Sequence, residues 1–250
     1  MQDVLLETAN GVMTVRLNRP AKKNALTRAM YNAMTEALRQ AEADDSVRAV
    51  VIAAEGTDFC AGNDIMDFVQ VLPQMQAPDF DPDAMPVFRF LKALTFFPKP
   101  LIAAVQGQAV GVGVTLLLHC DLVAVAENVR LTLPFLKLGL VPEAGSTLLL
   151  PERMGHARAF AWMALGEVIG AADALSLGIA NRGADDPAAA AQEMAARVAR
   201  LSPSAVRQTK SIMRDPERLW QVIQAEGAVF RQQLLSPETQ AAFMAFLSRQ

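Results

Sequence analysis

An apolar run, a glycine turn and a second apolar run follow one another between residues 101 and 118, and this order most constrains the fold. The first run, Leu101–Val105, is typical of a buried strand. The turn contains Gly111 and Gly113, which lack the Cβ that keeps a ligand away from the backbone. Residues 114–118 predict a buried helix, whose first N–H groups and positive dipole end face the turn. The sequence therefore predicts an anion-binding turn after a strand.

Two further loops carry candidate site residues. Residues 55–64 follow the strand-like run Ala49–Ala54 and contain Gly62, and residues 138–145 place Glu143 just before a small-residue helix start. Backbone N–H groups from two loops could together hold an oxyanion, and losing one such donor typically costs about 2.7–4 kcal/mol of transition-state stabilisation. The loops therefore indicate carbonyl chemistry with one base. Two alternatives stay open: the glycines serve only tight turns, and Glu143 caps the following helix.

Composition excludes several classes of function. The chain has 23 basic and 26 acidic residues, a net charge of −3, and no long basic run, which argues against a nucleic-acid surface. The longest apolar run, residues 109–118, is too short to cross a bilayer, and the N-terminus lacks the features of a secretory signal. Cys60 and Cys120 lack metal-ligand spacing, so we expect free thiols, no metal and a cytoplasmic location.

Other familiar catalytic motifs are incomplete. Gly111 and Gly113 begin a dinucleotide fingerprint, but Leu116 stands where the third glycine is required. Ser146 lies in no nucleophile elbow and would need one of only two histidines, His119 and His156. Both histidines lie in helix-like segments, where a structural role is the usual one. We therefore expect neither a bound cofactor nor a catalytic serine.

The order of predicted elements indicates an α/β fold with a helical C-terminal region. Asn10-Gly11 predicts a hairpin between two strands, and Thr27 is a plausible N-cap for the helix that follows. Residues 69–85 are proline-rich without a clear period and are the segment expected to be most mobile. Further short strands are predicted at residues 122–126 and 130–133. Helices are predicted at residues 87–96, 156–165, 171–177, 188–200, 203–213, 216–234 and 237–248.

An ordered set of motifs resembles the crotonase (enoyl-CoA hydratase/isomerase) superfamily. The motifs are Phe-Cys-Ala-Gly-Asn-Asp-Ile at residues 59–65, the strand and glycine turn at 100–113, Cys-Asp at 120–121, Leu-Gly-Leu-Val-Pro-Glu at 138–143, and segments 22–26 and 242–249. The resemblance implies a crotonase-like spiral of ββα units in residues 1–195 and a helical trimerisation region in residues 196–250. It also implies a homotrimer or a dimer of trimers.

The resemblance also implies site residues. The substrate would be an acyl-CoA thioester of fatty-acid or related metabolism, with its carbonyl oxygen held by the backbone N–H groups of Asn63 and Val112. Coenzyme A would be part of this substrate and not a separate cofactor. The positions that match coenzyme A contacts in the family are Lys22, Ala25, Ala61, Phe246 and Arg249.

Departures from the family pattern narrow the expected reaction. Hydratases of this family use two glutamates to activate water, and the matching positions here hold Thr115 and Phe135, neither of which can act as a general base. Glu143 instead resembles the single base of the Δ3,Δ2-enoyl-CoA isomerase branch. Thr115, Phe135 and Leu140 would line the substrate pocket, and the apolar Phe135 and Leu140 would raise the pKa of Glu143. The alternatives are a hydratase or thioesterase with a rearranged site, and a non-catalytic acyl-CoA-binding protein.

Overall fold

The computed structural model describes residues 2–70, 72–77, 79–239 and 241–242. The strands are β1 (Val4–Ala9), β2 (Val12–Leu17), β3 (Ala49–Ala54), β4 (Leu101–Val105), β5 (Gln108–Val110), β6 (Leu122–Val125), β7 (Arg130–Thr132) and β8 (Arg182–Gly183). The α-helices are α1 (Arg28–Ala43), α2 (Ile65–Val69), α3 (Leu72–Gln76), α4 (Pro86–Phe96), α5 (Val112–Thr115), α6 (Ser146–Met154), α7 (His156–Leu165), α8 (Ala171–Ser176), α9 (Pro187–Ala199), α10 (Pro203–Met213) and α11 (Pro216–Leu234). Short 3-10 helices span Pro20–Lys22, Pro82–Ala84, Leu116–His119 and Leu136–Leu138.

A largely parallel sheet forms the centre of the molecule. Its strand order is β1-β2-β3-β4-β6-β8, in which only β1 and β2 pair antiparallel. The β1–β2 turn places Asn10 and Gly11 in the left-handed region, with φ of 53° and 78°, which confirms the predicted hairpin. Strands β5 and β7 form a second, two-stranded parallel sheet.

Helices cover the sheet on both faces, as the uninterrupted apolar sequences of β3 and β4 require. Every residue of these two strands is buried. One face of the sheet packs against α9, where alanines such as Ala191 and Ala195 allow close approach. The other face, which includes Val50 and Ile52, belongs to the main hydrophobic core. Because both faces are covered, the loops that follow the strands are the places where a ligand can approach.

The structure confirms much of the predicted element order and corrects it near the site. Thr27 caps α1 by accepting a hydrogen bond from the Met30 amide at 3.3 Å. Gln108–Val110 was expected to be part of the glycine turn, but it forms β5 because β7 offers a pairing partner. The helix after that turn is short and continues as the 3-10 helix Leu116–His119. The proline-rich segment, for which no helix was predicted, contains α3.

The C-terminal part of the described chain is mainly helical, as predicted. The predicted boundary between residues 195 and 196 falls inside α9, and the division into a core domain and a trimerisation region stays a prediction. Most of the predicted helix at residues 237–248 lies outside the described residues. Within the described ranges, no helix is long and apolar enough to span a bilayer.

Candidate active site

The two glycine loops predicted to hold an oxyanion are in direct contact; the first is residues 55–64, and the second is the turn with Gly111 and Gly113 that leads into α5. Cys60 is hydrogen-bonded to β5, since its amide donates to the Gln108 carbonyl at 3.0 Å and its own carbonyl accepts from the Val110 amide at 2.9 Å. At the next turn, a Cβ on Gly113 would lie 2.6 Å from the Cys60 carbonyl oxygen. Gly113 is therefore required for close packing of α5 on the first loop. The Cys60 thiol is buried there, and burial raises its pKa to about 12.

The amides of Asn63 and Val112 both lie at this junction. Asn63 forms an isolated parallel bridge with Leu26, whose amide and carbonyl bond to the Gly62 carbonyl at 2.8 Å and the Asp64 amide at 2.9 Å. This pattern turns the N–H of Asn63 away from Leu26. Val112 is the first residue of α5, where a backbone N–H has no partner within its own helix. Neither N–H donates a hydrogen bond within the described part of the chain.

Glu143 contacts α5, the helix that follows the second glycine loop, through Thr115. The fully buried Thr115 hydroxyl donates a hydrogen bond of 2.6 Å to Oε1 of Glu143. Burial raises the pKa of Glu143 to about 7, the Thr115 hydrogen bond opposes this rise, and the charge of Glu226 adds to it. Glu143 is half-buried because part of its side chain faces an open cavity. A carboxyl group with a pKa near neutrality can both accept and return a proton.

The cavity beside Glu143 has a volume of about 340 Å³. Asn63 and Glu143 line the same cavity, together with Tyr31 from α1. The other contributors to its wall are mainly apolar side chains of α4, α11 and residues 75–85; they include Met75, Phe80, Met85, Phe88, Leu91, Ile223 and Phe230. Such a lining suits an apolar group attached to a polar reacting centre.

Tyr31 is a site residue that the sequence analysis did not identify. Its hydroxyl donates a hydrogen bond of 2.6 Å to Oδ1 of Asn63 and thereby fixes the side chain next to the candidate oxyanion donor. Burial, and secondarily the charge of Glu143, raise the pKa of Tyr31 well above its ordinary value, so the hydroxyl keeps its proton. Tyr31 is the only tyrosine of the chain and lies on the buried face of α1. A hydroxyl group among the apolar residues of that face was the signal in the sequence that could have identified it.

Three residues matched to coenzyme A contacts lie together beside Asn63. The Ala61 amide donates to the Lys23 carbonyl at 2.9 Å, and the Ala25 amide donates to the Lys22 carbonyl at 3.0 Å. Residues 22–26 therefore run along the first glycine loop. Lys22, Ala25 and Ala61 do not line the cavity. The other two matched residues, Phe246 and Arg249, lie outside the described residues.

The three residues expected in the substrate pocket are buried but are not part of the cavity lining. Thr115 reaches the site through its hydrogen bond to Glu143. The Phe135 ring lies against Gly111, with Cζ 3.9 Å from the position that a Cβ on Gly111 would occupy. Leu140 follows Phe135 in a turn, since its amide donates to the Phe135 carbonyl at 2.9 Å. A direct contact of these side chains with substrate stays a prediction.

The alternative role of Glu143 as a helix cap is wrong. The N-cap of α6 is Gly145, and the side chain of Glu143 bonds instead to Thr115. The donors at the start of α6 bond to Glu226, which the sequence analysis also missed. Glu226 lies in the buried stripe of α11 between Ile223 and Leu234. A carboxylate in an otherwise apolar stripe was the sequence feature that could have identified it.

The remaining titratable candidates have structural roles. His119 is buried, its Nε2 lies 2.8 Å from the Ala144 carbonyl oxygen, and burial lowers its pKa to about 3, so the ring is neutral. Asp64 accepts hydrogen bonds from the amides of Met66 and Asp67 and forms an ion pair with Arg19. No three His, Cys, Asp or Glu side chains of the described ranges lie close enough together to hold a metal ion.

Comparison with known proteins gives the family. The family model for enoyl-CoA hydratase/isomerase matches residues 7–250. The chain is 38% identical over 205 residues to 1,2-epoxyphenylacetyl-CoA isomerase of Escherichia coli (strain K12), covering 80% of this chain and 77% of that protein. It is 33% identical over 251 residues to enoyl-CoA delta isomerase 2 of Rattus norvegicus, covering 98% of this chain and 63% of that protein.

The fold agrees with the same family. The solved structure of Pseudomonas aeruginosa OdaA superposes with a TM-score of 0.91 at 46% sequence identity, covering 98% of this chain and 99% of that one. This match confirms the expected α/β crotonase-like fold with its helical C-terminal region. Related proteins carry the names of both isomerases and hydratases. The chain is therefore an enzyme of the enoyl-CoA hydratase/isomerase (crotonase) family.

Proposed function

We propose that the protein shifts the double bond of an enoyl-CoA from C3 to C2 with Glu143 as its single base. The observation that carries this proposal is the 2.6 Å hydrogen bond to Glu143 from the buried Thr115 hydroxyl, which stands where hydratases of the family would need a second carboxylate. Phe135 occupies the other expected carboxylate position, so no second base is available there. The relative named enoyl-CoA delta isomerase 2 also supports the proposal.

The proposed reaction is a 1,3-proton transfer. Glu143 removes a proton from C2 of the thioester, and the electron pair forms a dienolate whose oxygen accepts hydrogen bonds from the amides of Asn63 and Val112. The protonated Glu143 then gives the same proton to C4, and the double bond forms between C2 and C3. A pKa of about 7 makes both transfers accessible near neutral pH. No water enters the reaction, so one carboxyl group is sufficient.

The test is the conversion of 3-hexenoyl-CoA to 2-hexenoyl-CoA, followed through the absorbance of the conjugated thioester. Glu143→Gln keeps the hydrogen bond from Thr115 but cannot take up a proton, so we expect turnover to fall by about 10²–10⁴-fold with acyl-CoA binding retained. Glu7→Gln, which changes an exposed carboxylate on β1, is the matched control and should keep wild-type turnover. A Glu143→Gln enzyme with near-normal turnover would refute the proposal.

Two parallel assays distinguish the alternatives. Formation of a 3-hydroxyacyl product from crotonyl-CoA would identify a hydratase. Binding of 3-hexenoyl-CoA without exchange of C2 deuterium into solvent would identify a non-catalytic acyl-CoA-binding protein. We also propose that the protein assembles as a trimer or a dimer of trimers, which a measurement of its molecular mass in solution would test. A cytoplasmic location is a separate proposal.

A second candidate substrate is an arylacetyl-CoA epoxide. The relative named 1,2-epoxyphenylacetyl-CoA isomerase supports it, and so does the cavity wall, to which Phe80, Phe88 and Phe230 contribute aromatic rings. Aromatic side chains pack favourably on an aromatic acyl group. Faster turnover of such a substrate than of 3-hexenoyl-CoA would favour this candidate. The reverse ranking would favour the aliphatic enoyl-CoA.

A further inference from the structure

Helix α11 contributes to the site in two ways. Ile223, Gly227 and Phe230 line the cavity. Glu226, three positions after Ile223 in the same buried stripe, bonds to the turn between Glu143 and α6. The helix and this turn are also in close contact, because a Cβ on Gly145 would lie 2.4 Å from Leu219 Cδ1. The same rigid element therefore forms a wall of the cavity and supports the loop of the base.

Among the described residues, the hydrogen bonds that Glu226 accepts come from this turn. Its Oε2 accepts from the Gly145 amide at 2.6 Å, and its Oε1 accepts from the Thr147 amide at 2.9 Å and the Thr147 hydroxyl at 2.5 Å. The side chain is buried, and no ion pair within the described ranges involves it. All three contacts come from donors at the start of α6, the arrangement that a helix N-terminus offers to a carboxylate. Burial raises the pKa of Glu226, and these hydrogen bonds oppose the rise.

The turn bonded to Glu226 has a backbone conformation that is unfavourable without support from its surroundings. Ala144 and Gly145 both adopt left-handed conformations, with φ of 60° and 75°. A residue with a Cβ rarely adopts this conformation unless its surroundings impose it. His119 fixes the Ala144 carbonyl from one side at 2.8 Å, and Glu226 fixes the following amides from the other. Glu143 directly precedes these two residues, so its position depends on both anchors.

We propose that Glu226 is a positioning residue, whose carboxylate on α11 fixes the turn that carries Glu143 and aligns this base with the cavity. The proposal rests on the proposed isomerase function, in which Glu143 is the base. It also implies that a displacement of α11 by the acyl group is transmitted to the base. In addition, the charge of Glu226 raises the pKa of Glu143 after the larger effect of burial. The charge of Glu143 in turn raises the pKa of Tyr31, after the larger effect of burial.

The test compares Glu226→Gln with Glu217→Gln, an equivalent change on the exposed face of the same helix. Glu226→Gln replaces an acceptor oxygen by an amide that cannot accept from the turn, so we expect kcat to fall by about 100-fold with KM changed less than about threefold. It also removes a negative charge near Glu143, so the acidic limb of the kcat/KM profile should move to lower pH. Glu217→Gln should change neither quantity.

A third variant separates hydrogen bonding from charge. Thr147→Val removes the hydroxyl donor to Glu226 but keeps the carboxylate, so we expect a smaller loss of kcat and an unchanged acidic limb. A folded Glu226→Gln variant with wild-type kcat would overturn the proposal. So would a variant that loses kcat while the acidic limb of its kcat/KM profile stays in place. The folded state of each variant is checked by its thermal unfolding profile.

A crystal structure of Glu226→Gln decides the inference independently of turnover. Loss of the 2.6 Å hydrogen bond between Thr115 and Glu143 would support the positioning role, and its retention would overturn it. If the wild-type enzyme converts no 3-enoyl-CoA, the proposed function fails and this structure still decides whether Glu226 holds the turn. If the wild type is active and Glu226→Gln is equally active, the positioning role alone fails.

Discussion

Replacement of Glu143 by glutamine is expected to stabilise the protein increasingly as the pH rises above 4.5, with the full effect reached above pH 7. The pKa of this carboxyl group is raised from 4.5 to about 7 by burial in the folded chain. A raised pKa means that folding favours the protonated form. The contribution of this group to stability is therefore complete below pH 4.5 and is lost as the pH rises through 7. Glutamine has no such dependence and still accepts the hydrogen bond from Thr115.

The size of the effect follows from the two pKa values. They differ by 7 − 4.5, which is about 2.5, and each unit corresponds to about 1.36 kcal/mol. Ionisation of Glu143 therefore costs about 3 kcal/mol of the free energy of unfolding, and contact with water on the cavity side reduces this figure. We expect Glu143→Gln to be more stable than the wild type by about 2–3 kcal/mol at pH 8 and by about 0–0.3 kcal/mol at pH 4.

Urea denaturation measures this difference. The two tryptophans, Trp162 and Trp220, are both buried and report unfolding through their fluorescence. The quantity of interest is the stability difference between variant and wild type at pH 8 minus that at pH 4. Glu7→Gln on the exposed side of β1 should show a value near zero. An equal stability difference at both pH values for Glu143→Gln, or a wild type that is more stable than the variant at pH 8, would refute the assignment of a raised pKa to this carboxyl group.

Two further predictions test the surroundings of Glu143, the proposed base. Thr115→Val removes a hydrogen bond to the charged form of Glu143, worth about 1.5–3 kcal/mol, so the acidic limb of kcat/KM should rise by about 1–2 pH units; Thr115→Ser should leave it in place, and an unmoved limb in the valine variant would contradict the prediction. Gly113→Ala should lower the free energy of unfolding by about 1–3 kcal/mol, because its Cβ would lie 2.6 Å from the Cys60 carbonyl oxygen. Gly170→Ala has open space around its Cβ and is the control for the urea midpoint; equal midpoints would contradict the steric argument.

Local patterns predicted the elements whose determinants lie close together in the sequence. The β1–β2 hairpin follows from Asn10-Gly11, and α1 begins after the Thr27 cap as expected. Strand β5 was missed because three residues between glycines carry no periodic pattern, and only pairing with β7 makes them a strand. Helix α3 was missed because its five residues include a proline and show no amphipathic repeat.

The site was predictable where a motif carried it and unpredictable where distant chain segments meet. Asn63 and Glu143 were found from the glycine loops and the family resemblance, and both line the cavity. Thr115 was recognised as unable to act as a base, but its bond to Glu143 joins residues 28 positions apart. Glu226 lies about 80 positions from its partners at the start of α6. No local pattern in one sequence encodes such a contact, because tertiary packing creates it.

The double use of α11 limits how this enzyme can evolve. A substitution at Ile223 or Gly227 that adapts the cavity to another acyl chain also disturbs the backbone that carries Glu226. On α4, Val87 and Leu91 contribute to the wall without a hydrogen bond to the turn after Glu143 within the described ranges, whereas Phe88 packs against Gly227 of α11. We expect natural variation in substrate preference to accumulate on α4, where selection for chain length leaves turnover intact.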